Sequence, residues 1–183
     1  MLLFFLLYFR RNFKMKKAFL LLAIVLISFS CKKDKEVNTQ KLSKETSETF
    51  INFDKYTFNT ADNTREKITL SKETSYILDF WYLECEPCVK QHKEIKEYQD
   101  ILAENNIKII GISIDRSQKN WRNYLKKHQY NWQNYNQFQE ENDLKYDLNI
   151  KFFPRYYYVN DKGFILRKFN SFKQVINYLK IKK

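Results

Sequence analysis

Two continuous apolar, β-prone segments lie in the middle of the chain, and residues with helical periodicity follow each of them. The segments 76–82 and 107–115 have the composition of buried central strands. Between them, apolar residues recur every three or four positions and predict a helix over residues 86–104. A second helix is marked by its own apolar stripe: Trp121, Tyr124, Leu125 and His128. This part of the chain is therefore expected to be a β-α-β-α unit.

The last part of the chain predicts a strand hairpin and a closing helix. Residues 155–159 and 164–169 are β-prone, and the turn sequence Asn160-Asp161-Lys162-Gly163 joins them. Ser171 is suited to cap the helix that follows. The apolar face of that helix carries Phe172, Val175, Ile176 and Leu179. Three further short elements are expected: strands at 56–58 and 67–70 around a turn, and a helix at 144–148. No internal repeat is evident.

The first 30 residues have the organisation of an export signal. Basic residues at 14–17 precede an apolar run that stops at Cys31. The small residue Ser30, a lone cysteine and a polar tract after it are typical of a bacterial lipoprotein signal, in which Cys31 would be lipidated. An uncleaved N-terminal anchor helix is the alternative. Met15 is an alternative start of translation.

The next segment, 31–49, is almost wholly polar and predicts a flexible tether, because it lacks the apolar residues needed to offset the entropy of ordering. The expected domain covers residues 50–183.

The overall composition supports a folded domain and excludes some functions. Hydrophobic residues make up 44% of the 183 residues and aromatic residues 17%, which is enough for a core. Only two glycines occur, which excludes a glycine-rich phosphate loop. The formal charge is +12, but the basic excess is spread along the chain rather than collected with aromatics on one face. We interpret it as codon bias and expect no nucleic-acid partner.

Three cysteines limit the metal chemistry. A four-thiolate zinc site is impossible within one chain. A site of two cysteines and two histidines would need His92 and His128, which are 36 residues apart, far from the spacing of zinc fingers. We expect neither a metal nor a diffusible cofactor.

Cys85 and Cys88 form a C-x-x-C sequence at the start of the predicted helix 86–104. The first cysteine of such a pair lies where unpaired N–H groups and the positive end of the helix stabilise a thiolate. We therefore assign Cys85 as an exposed nucleophile and Cys88 as the buried thiol that resolves the mixed disulfide. Pro87 suits the first turn, where its missing N–H costs nothing. A purely structural disulfide is the alternative, although so short a loop contributes little stability.

Two carboxylates flank the nucleophile. Glu84 and Glu86 are the immediate neighbours of Cys85 and disfavour a further negative charge there. A less stable thiolate makes a dithiol pair more reducing. The sequence therefore predicts a reductant or isomerase rather than a strong oxidant.

The sequence Asp79-Phe80-Trp81, three further residues and then Cys85-Glu86-Pro87-Cys88 resembles the thioredoxin superfamily. The export signal and the upstream hairpin resemble its TlpA/ResA-like branch of lipoprotein oxidoreductases. The resemblance covers roughly residues 50–183. It implies an α/β fold of the thioredoxin type, with a central mixed β-sheet flanked by helices and an N-terminal β-hairpin extension.

The resemblance also implies roles for single residues. Pro154 would follow a cis peptide bond and shape a substrate groove together with Trp81 and Pro87. Asp79 would be a buried carboxylate near Cys88 and would accept its proton. Glu84 stands where relatives often carry a Trp, which removes an aromatic surface for partners.

Other aromatic residues and the histidines have more than one interpretation. Core packing is the first interpretation of Trp81, with a substrate contact as the alternative. His92 is expected to be an exposed helix residue, with a modulating role for Cys88 as the alternative, and His128 a core histidine. Packing is also the first interpretation of Trp132, Tyr135 and Phe138, with a groove as the alternative.

We conclude from the sequence that the chain is a membrane-anchored, extracytoplasmic thiol-disulfide oxidoreductase acting on protein thiols and disulfides. It would lie in the cell envelope, facing the periplasm or the cell surface. Its electrons would come from a membrane thiol transporter or a thioredoxin-like partner, as the resemblance suggests. The alternatives are a Cu(I) metallochaperone using the two thiolates, a thiol peroxidase and a non-catalytic surface lipoprotein.

Overall fold

Seven strands form one mixed sheet in the computed structural model, which describes residues 49–138, 140 and 142–182. The strands are β1 (Phe58–Thr60), β2 (Arg65–Glu66), β3 (Ser75–Trp81), β4 (Ile107–Ser113), β5 (Gln133–Asn136), β6 (Arg155–Val159) and β7 (Ile165–Phe169). Their order in the sheet is β2-β1-β5-β4-β3-β6-β7. The predicted thioredoxin-like arrangement of a central mixed sheet is confirmed.

Four α-helices flank the sheet: α1 (Glu86–Glu104), α2 (Gln118–His128), α3 (Leu144–Asp147) and α4 (Phe172–Leu179). A short 3-10 helix, Phe53–Lys55, precedes β1. No helix within the described ranges is long and apolar enough to cross a membrane. The predicted signal segment, Cys31 and the tether as far as residue 48 lie outside the described residues.

The strand β3 is central and brings three chain segments to one edge of the sheet. It runs parallel to β4, with Trp81 opposite Ser113, and antiparallel to β6, with Phe80 opposite Arg155. The carboxyl ends of β3 and β4 therefore meet the beginning of β6. The helix α1 begins five residues after β3 ends, so its first turn lies at this edge.

Alternation along β3 divides the core between the two faces of the sheet. Tyr76, Leu78 and Phe80 belong to one apolar cluster, whereas Ile77 packs in a second cluster with residues of α1 and α4. Asp79 and Trp81 have the same parity as Ile77. Strand geometry therefore directs the Asp79 carboxylate toward the helix that carries the cysteines.

The predicted helix at 86–104, the hairpin after Pro154 and the cap of the last helix are confirmed. Ser171 accepts a hydrogen bond from the amide of Gln174, and Gly163 provides the positive φ of 87° in the hairpin turn. The prediction of a strand at 67–70 is wrong, because the second strand of the N-terminal hairpin is Arg65–Glu66. The strand β5 was not predicted, since its sequence is polar and lacks an apolar alternation.

Candidate active site

A disulfide joins Cys85 and Cys88 at the beginning of α1, with their Cα atoms 5.3 Å apart. Cys85 is the N-cap of the helix, and its Sγ accepts a hydrogen bond of 3.3 Å from the main-chain N–H of Cys88. Pro87 lies in the first turn, as predicted. An amide of the first helical turn is therefore already directed at the sulfur that would carry the thiolate charge after reduction.

Both cysteines are shielded from solvent, so the expected exposure of Cys85 is wrong. Cys85 is 4% exposed and Cys88 0%. They belong to an apolar cluster with Trp81, Trp121 and Leu125, against which Tyr82, Leu83 and Phe153 also pack. These side chains cover the disulfide, and Cys85 remains the more accessible of the two sulfurs.

Behind the disulfide, Asp79 and His92 form a buried pair. Nε2 of His92 lies 3.0 Å from Oδ2 of Asp79, and both side chains are 0% exposed. The expectation that His92 is exposed is therefore wrong. Its helical phase explains its burial, because His92 follows Cys88 by four residues and shares the buried face of α1. That spacing was the sequence signal that could have identified it.

Aromatic rings enclose the buried pair. The imidazole of His92 makes edge contacts with Trp81 at 4.5 Å, Tyr130 at 5.2 Å and Trp132 at 6.0 Å between ring centroids. Trp81 is 0% exposed. The predicted place of Trp81 in a substrate groove is therefore wrong: it lies on the same strand face as Asp79 and packs in the core.

Tyr156 is the third buried polar group at this position, because β6 places it opposite Asp79. Burial, followed by the charge of the Asp79 carboxylate, raises the pKa of Tyr156 well above its ordinary value. The phenol is therefore neutral at physiological pH and adds no charge to the pair.

The loop before β6 packs against the cluster that contains the disulfide, through Phe153. The peptide bond Phe153–Pro154 is cis, as the resemblance implied, and Pro154 is buried. The rings of Phe153 and Tyr82 meet edge to face at 5.3 Å. Phe152 is 74% exposed, and Pro87 is also exposed. Pro87 and the Phe152–Phe153 loop are thus the accessible apolar surface near Cys85.

Glu84 and Glu86 are both exposed on either side of Cys85. Beside Glu84 opens a cleft of about 810 Å³ at the carboxyl ends of the parallel strands. It is lined by residues that include Leu83, Glu84, Asp115, Arg116 and Phe138.

Asp115 is a buried carboxylate that the sequence interpretation missed. Its Oδ1 accepts a hydrogen bond of 2.9 Å from the amide of Leu83, and its Oδ2 accepts one of 2.6 Å from the hydroxyl of Ser113. Burial raises the pKa of Asp115, the bonds from Ser113 and Leu83 oppose that shift, and the charge of Glu84 adds to it. Asp115 therefore holds the loop that leads to Cys85. The parallel pairing of β3 with β4 was the available signal, since it places residue 115 beside residue 83.

The other histidine and the aromatic residues singled out in the sequence are held by packing contacts. His128 is half-buried rather than in the core, because it ends α2. Its ring contacts those of Tyr124 and Tyr130, with centroids 4.2 and 5.7 Å away. Trp132 and Tyr135 are buried and pack as expected. Within the described ranges, no three His, Cys, Asp or Glu side chains lie together as a metal site would require.

Comparison with known proteins agrees with this geometry. The model of a thioredoxin-like family matches residues 73–165, just over half of the chain. Among proteins with curated descriptions, none matches this sequence.

Three solved structures illustrate the similarity in fold. The thioredoxin domain of a thiol-disulfide oxidoreductase from Bacteroides vulgatus has 20% identity and a TM-score of 0.60, over 68% of this chain and 90% of that one. StoA from Bacillus subtilis has 18% identity and a TM-score of 0.55, over 68% and 95%. A thiol-disulfide oxidoreductase from Bacteroides fragilis has 19% identity and a TM-score of 0.59, over 68% and 94%.

Proposed function

This chain belongs to the thioredoxin-like family, and from that premise we propose that it is a thiol-disulfide oxidoreductase that reduces or isomerises protein disulfides outside the cytoplasm. One observation carries the proposal. Cys85 and Cys88 are joined at the N-terminus of α1, where the Cys88 amide donates to the Cys85 sulfur. A pair so placed can alternate between disulfide and dithiol, since the amide stabilises the thiolate that starts each exchange.

The exchange has two balanced steps. In the dithiol form, the Cys85 thiolate attacks one sulfur of a substrate disulfide, forms a mixed disulfide and releases the other substrate sulfur as a thiolate. Cys88 then loses its proton and attacks the Cys85 sulfur, which releases the second substrate thiolate and closes the Cys85–Cys88 bond. The substrate gains two electrons, and an external dithiol must return the protein to its reduced form.

Asp79 is the proton acceptor for Cys88 in this scheme. Its carboxylate is fully buried on the face of β3 that packs against α1. A base is needed at this point because a buried thiol does not readily ionise. Proton transfer to a positioned side chain typically accelerates such a step by about 10²–10⁴-fold.

Substrates would approach over the apolar surface formed by Pro87 and the Phe152–Phe153 loop. Pro87 follows Cys85 by two residues, Phe153 packs against the cluster that contains Cys85, and Phe152 is largely exposed. Pro154 holds the loop at the start of β6. A protein segment that presents a disulfide here would reach the Cys85 sulfur before that of Cys88, which is the more deeply buried.

The protein would act from a membrane anchor, as a lipoprotein attached through Cys31. The basic residues before the apolar run, Ser30 and the polar tract after Cys31 support this location. A multiply acylated cysteine holds a protein stably at a membrane. A membrane thiol transporter or another thioredoxin-like protein would supply the electrons.

Variants of the two cysteines test the activity. We expect the wild-type protein to catalyse insulin reduction by a dithiol, and both Cys85→Ser and Cys88→Ser to lose that catalysis. Cys88→Ser should accumulate mixed disulfides on Cys85, visible on non-reducing gels and identifiable by mass spectrometry, whereas Cys85→Ser should not. Adducts on Cys88 in the Cys85→Ser variant, with none in the other, would reverse the roles. A wild-type protein without catalysis would contradict the activity itself.

A further inference from the structure

The contact between His92 and Asp79 is the most deeply buried ion-pair geometry among the residues that the structure describes. Both side chains are 0% exposed, whereas the basic partners of the pairs Lys55–Asp147 and Arg65–Glu140 are exposed to solvent. Burying a carboxylate alone is costly, and in practice an unpaired one takes up a proton instead. A hydrogen-bond donor at Oδ2 offsets this cost and favours the ionised form.

The two oxygens of Asp79 have different surroundings. Oδ2 is bonded to Nε2 of His92. Among the described atoms, Oδ1 of Asp79, Nδ1 of His92 and the hydroxyl oxygen of Tyr156 are buried without a partner at hydrogen-bond geometry. Tyr156 lies opposite Asp79 on β6, and its hydroxyl interacts with the Asp79 carboxylate. A buried acceptor without a partner requires an explanation, and a catalytic role is one. In Asp79, the lack of a partner leaves Oδ1 able to receive a proton, while the hydrogen bond from His92 holds Oδ2 in place.

His92 is fixed relative to the resolving cysteine by the helix that carries both. Cys88 and His92 are separated by one turn of α1 on its buried face. The edge contacts with Trp81, Tyr130 and Trp132 restrict the orientation of the imidazole. His92 therefore holds the Asp79 carboxylate in a fixed relation to the turn that contains Cys88.

We propose that His92 is a positioning residue, which donates its Nε2–H to Oδ2 of Asp79, fixes that carboxylate and leaves Oδ1 to accept the Cys88 proton. The inference rests on the proposed function, because it assigns a role in the second exchange step. It extends that function with a residue that acts through Asp79 and does not touch the reacting sulfurs.

The proton and electron balance of the step is complete within the site and its substrate. The thiol proton of Cys88 moves to Oδ1 of Asp79, and the electron pair left on the Cys88 sulfur forms the bond to Cys85. The bond between Cys85 and the substrate sulfur breaks, and the substrate sulfur keeps the electrons of that bond and leaves as a thiolate. His92 keeps its own proton throughout. The proton on Asp79 returns to Cys88 when an external dithiol reopens the disulfide.

The other titratable groups near the pair do not replace His92. Burial raises the pKa values of Tyr156 and Tyr130 far enough that both stay neutral, and for Tyr130 the bond with Tyr124 adds to the effect. Burial lowers the pKa of His128, and the charges of Lys127, His92, Lys96 and Lys93 add to that shift. On α1 itself, Cys88 shares the buried face with His92, Glu94 acts on Tyr156, and Lys93 and Lys96 act on His128.

The pH dependence of the second step tests the inference. Stopped-flow fluorescence of the reduced full-length protein with excess oxidised glutathione separates the attack by Cys85, which depends on glutathione concentration, from closure by Cys88, which does not. We expect His92→Phe to raise the pH midpoint of the closure rate by about one unit, because the carboxylate loses a hydrogen-bond donor. At a pH below both midpoints, the variant should therefore close about tenfold more slowly than the wild type. The rate at high pH should recover, because the base is still present. His92→Gln supplies an amide donor and should return the midpoint close to that of the wild type.

A merely structural His92 predicts a different pattern. In that case His92→Phe would lower the closure rate equally at every pH, and an unchanged midpoint overturns the inference. His128→Asn removes the other histidine of the chain, which belongs to the same aromatic group but makes no described contact with Asp79, and should leave the profile unchanged. A wild-type protein that makes no mixed disulfide at all would overturn the proposed function instead.

A measurement on the wild-type protein covers the case in which His92→Phe does not fold. Nitrogen-15 NMR of the two histidines, assigned with His128→Asn, should show a proton on Nε2 of His92. An Nδ1–H tautomer would place the shared proton on Asp79 and overturn the inference.

Discussion

The main-chain amide of Leu83 donates a hydrogen bond to Oδ1 of Asp115 across 2.9 Å, which ties the loop before Cys85 to the end of β4. Asp115 is only 8% exposed, and burial is the largest cause of its raised pKa. An acid whose pKa is raised by folding binds its proton more tightly in the folded state. Its effect on stability is therefore most favourable below the unfolded value of about 3.8 and is lost as the pH rises through the folded pKa.

In the wild type, the free energy of unfolding should decline between about pH 4 and neutral pH as Asp115 ionises. We expect Asp115→Asn to make that decline smaller. The change should be no more than about 1 kcal/mol, because the bonds from Leu83 and Ser113 already offset part of the burial cost. Urea unfolding at several pH values measures it. Asp62→Asn, at an exposed position of the β1–β2 turn, controls for the loss of one charge. Parallel pH profiles for the wild type and Asp115→Asn would show that Asp115 is not the source.

Replacement of the buried acceptor is expected to separate the two steps of exchange. Asp79→Asn keeps the shape of the side chain and can still accept the hydrogen bond from His92, so the domain should fold. Closure by Cys88 should slow by about 10²-fold or more, because the amide cannot take its proton. Attack by Cys85 should change much less. Stopped-flow traces from pH 6 to 9 give both rates, and unchanged closure kinetics would reduce Asp79 to a structural residue.

The sequence predicts this site best where local chemistry determines the structure. The bounds of α1 follow from its apolar spacing and from Pro87 in its first turn, and Cys85 caps the helix because of the same local pattern. The central strands are equally local, since β3 and β4 are continuous apolar runs. The family resemblance located Asp79 and the cis bond before Pro154.

Residues whose role depends on another segment were predicted poorly. The spacing of His92 from Cys88 on α1 indicates burial, but its partner Asp79 comes from β3, and helical periodicity does not show that contact. Asp115 acquires its role from the pairing of β3 with β4. The strand β5 is polar in sequence and forms because it pairs with β4 on one side and β1 on the other. Such tertiary contacts leave little trace in periodicity or composition.

The lipoprotein prediction concerns the part of the chain before the described domain. We expect cleavage before Cys31 and acylation of that cysteine, since the export signal ends there and Ser30 suits the cleavage site. Mass spectrometry of membrane-extracted protein should show an acylated N-terminal Cys31, and Cys31→Ser should move the protein out of the membrane fraction. An intact N-terminus at Met15 or Met1 would contradict the lipoprotein prediction and leave the redox activity untouched.

The last prediction concerns the direction of electron flow. The Cys88 amide and the helix end favour a Cys85 thiolate, whereas Glu84 and Glu86 oppose it from both sides. Because the two carboxylates are exposed, salt screens them and their effect is modest. We expect a potential closer to about −270 mV, as in thioredoxin, than to about −120 mV, as in a strong periplasmic oxidant.

Replacing both carboxylates measures their contribution to that potential. Glu84→Gln with Glu86→Gln should favour the thiolate and raise the potential by up to about 30 mV, which corresponds to about 1.4 kcal/mol for two electrons. Equilibration with glutathione buffers gives the value, and Trp81 reports the redox state because it packs in the same cluster as the disulfide. Glu104→Gln, at the exposed far end of α1, is the matched control and should leave the potential unchanged.

The shift should also diminish at high salt, because screening weakens charges at the surface more than hydrogen bonds inside the fold. A wild-type potential above about −150 mV would make the protein an oxidant and contradict the predicted direction.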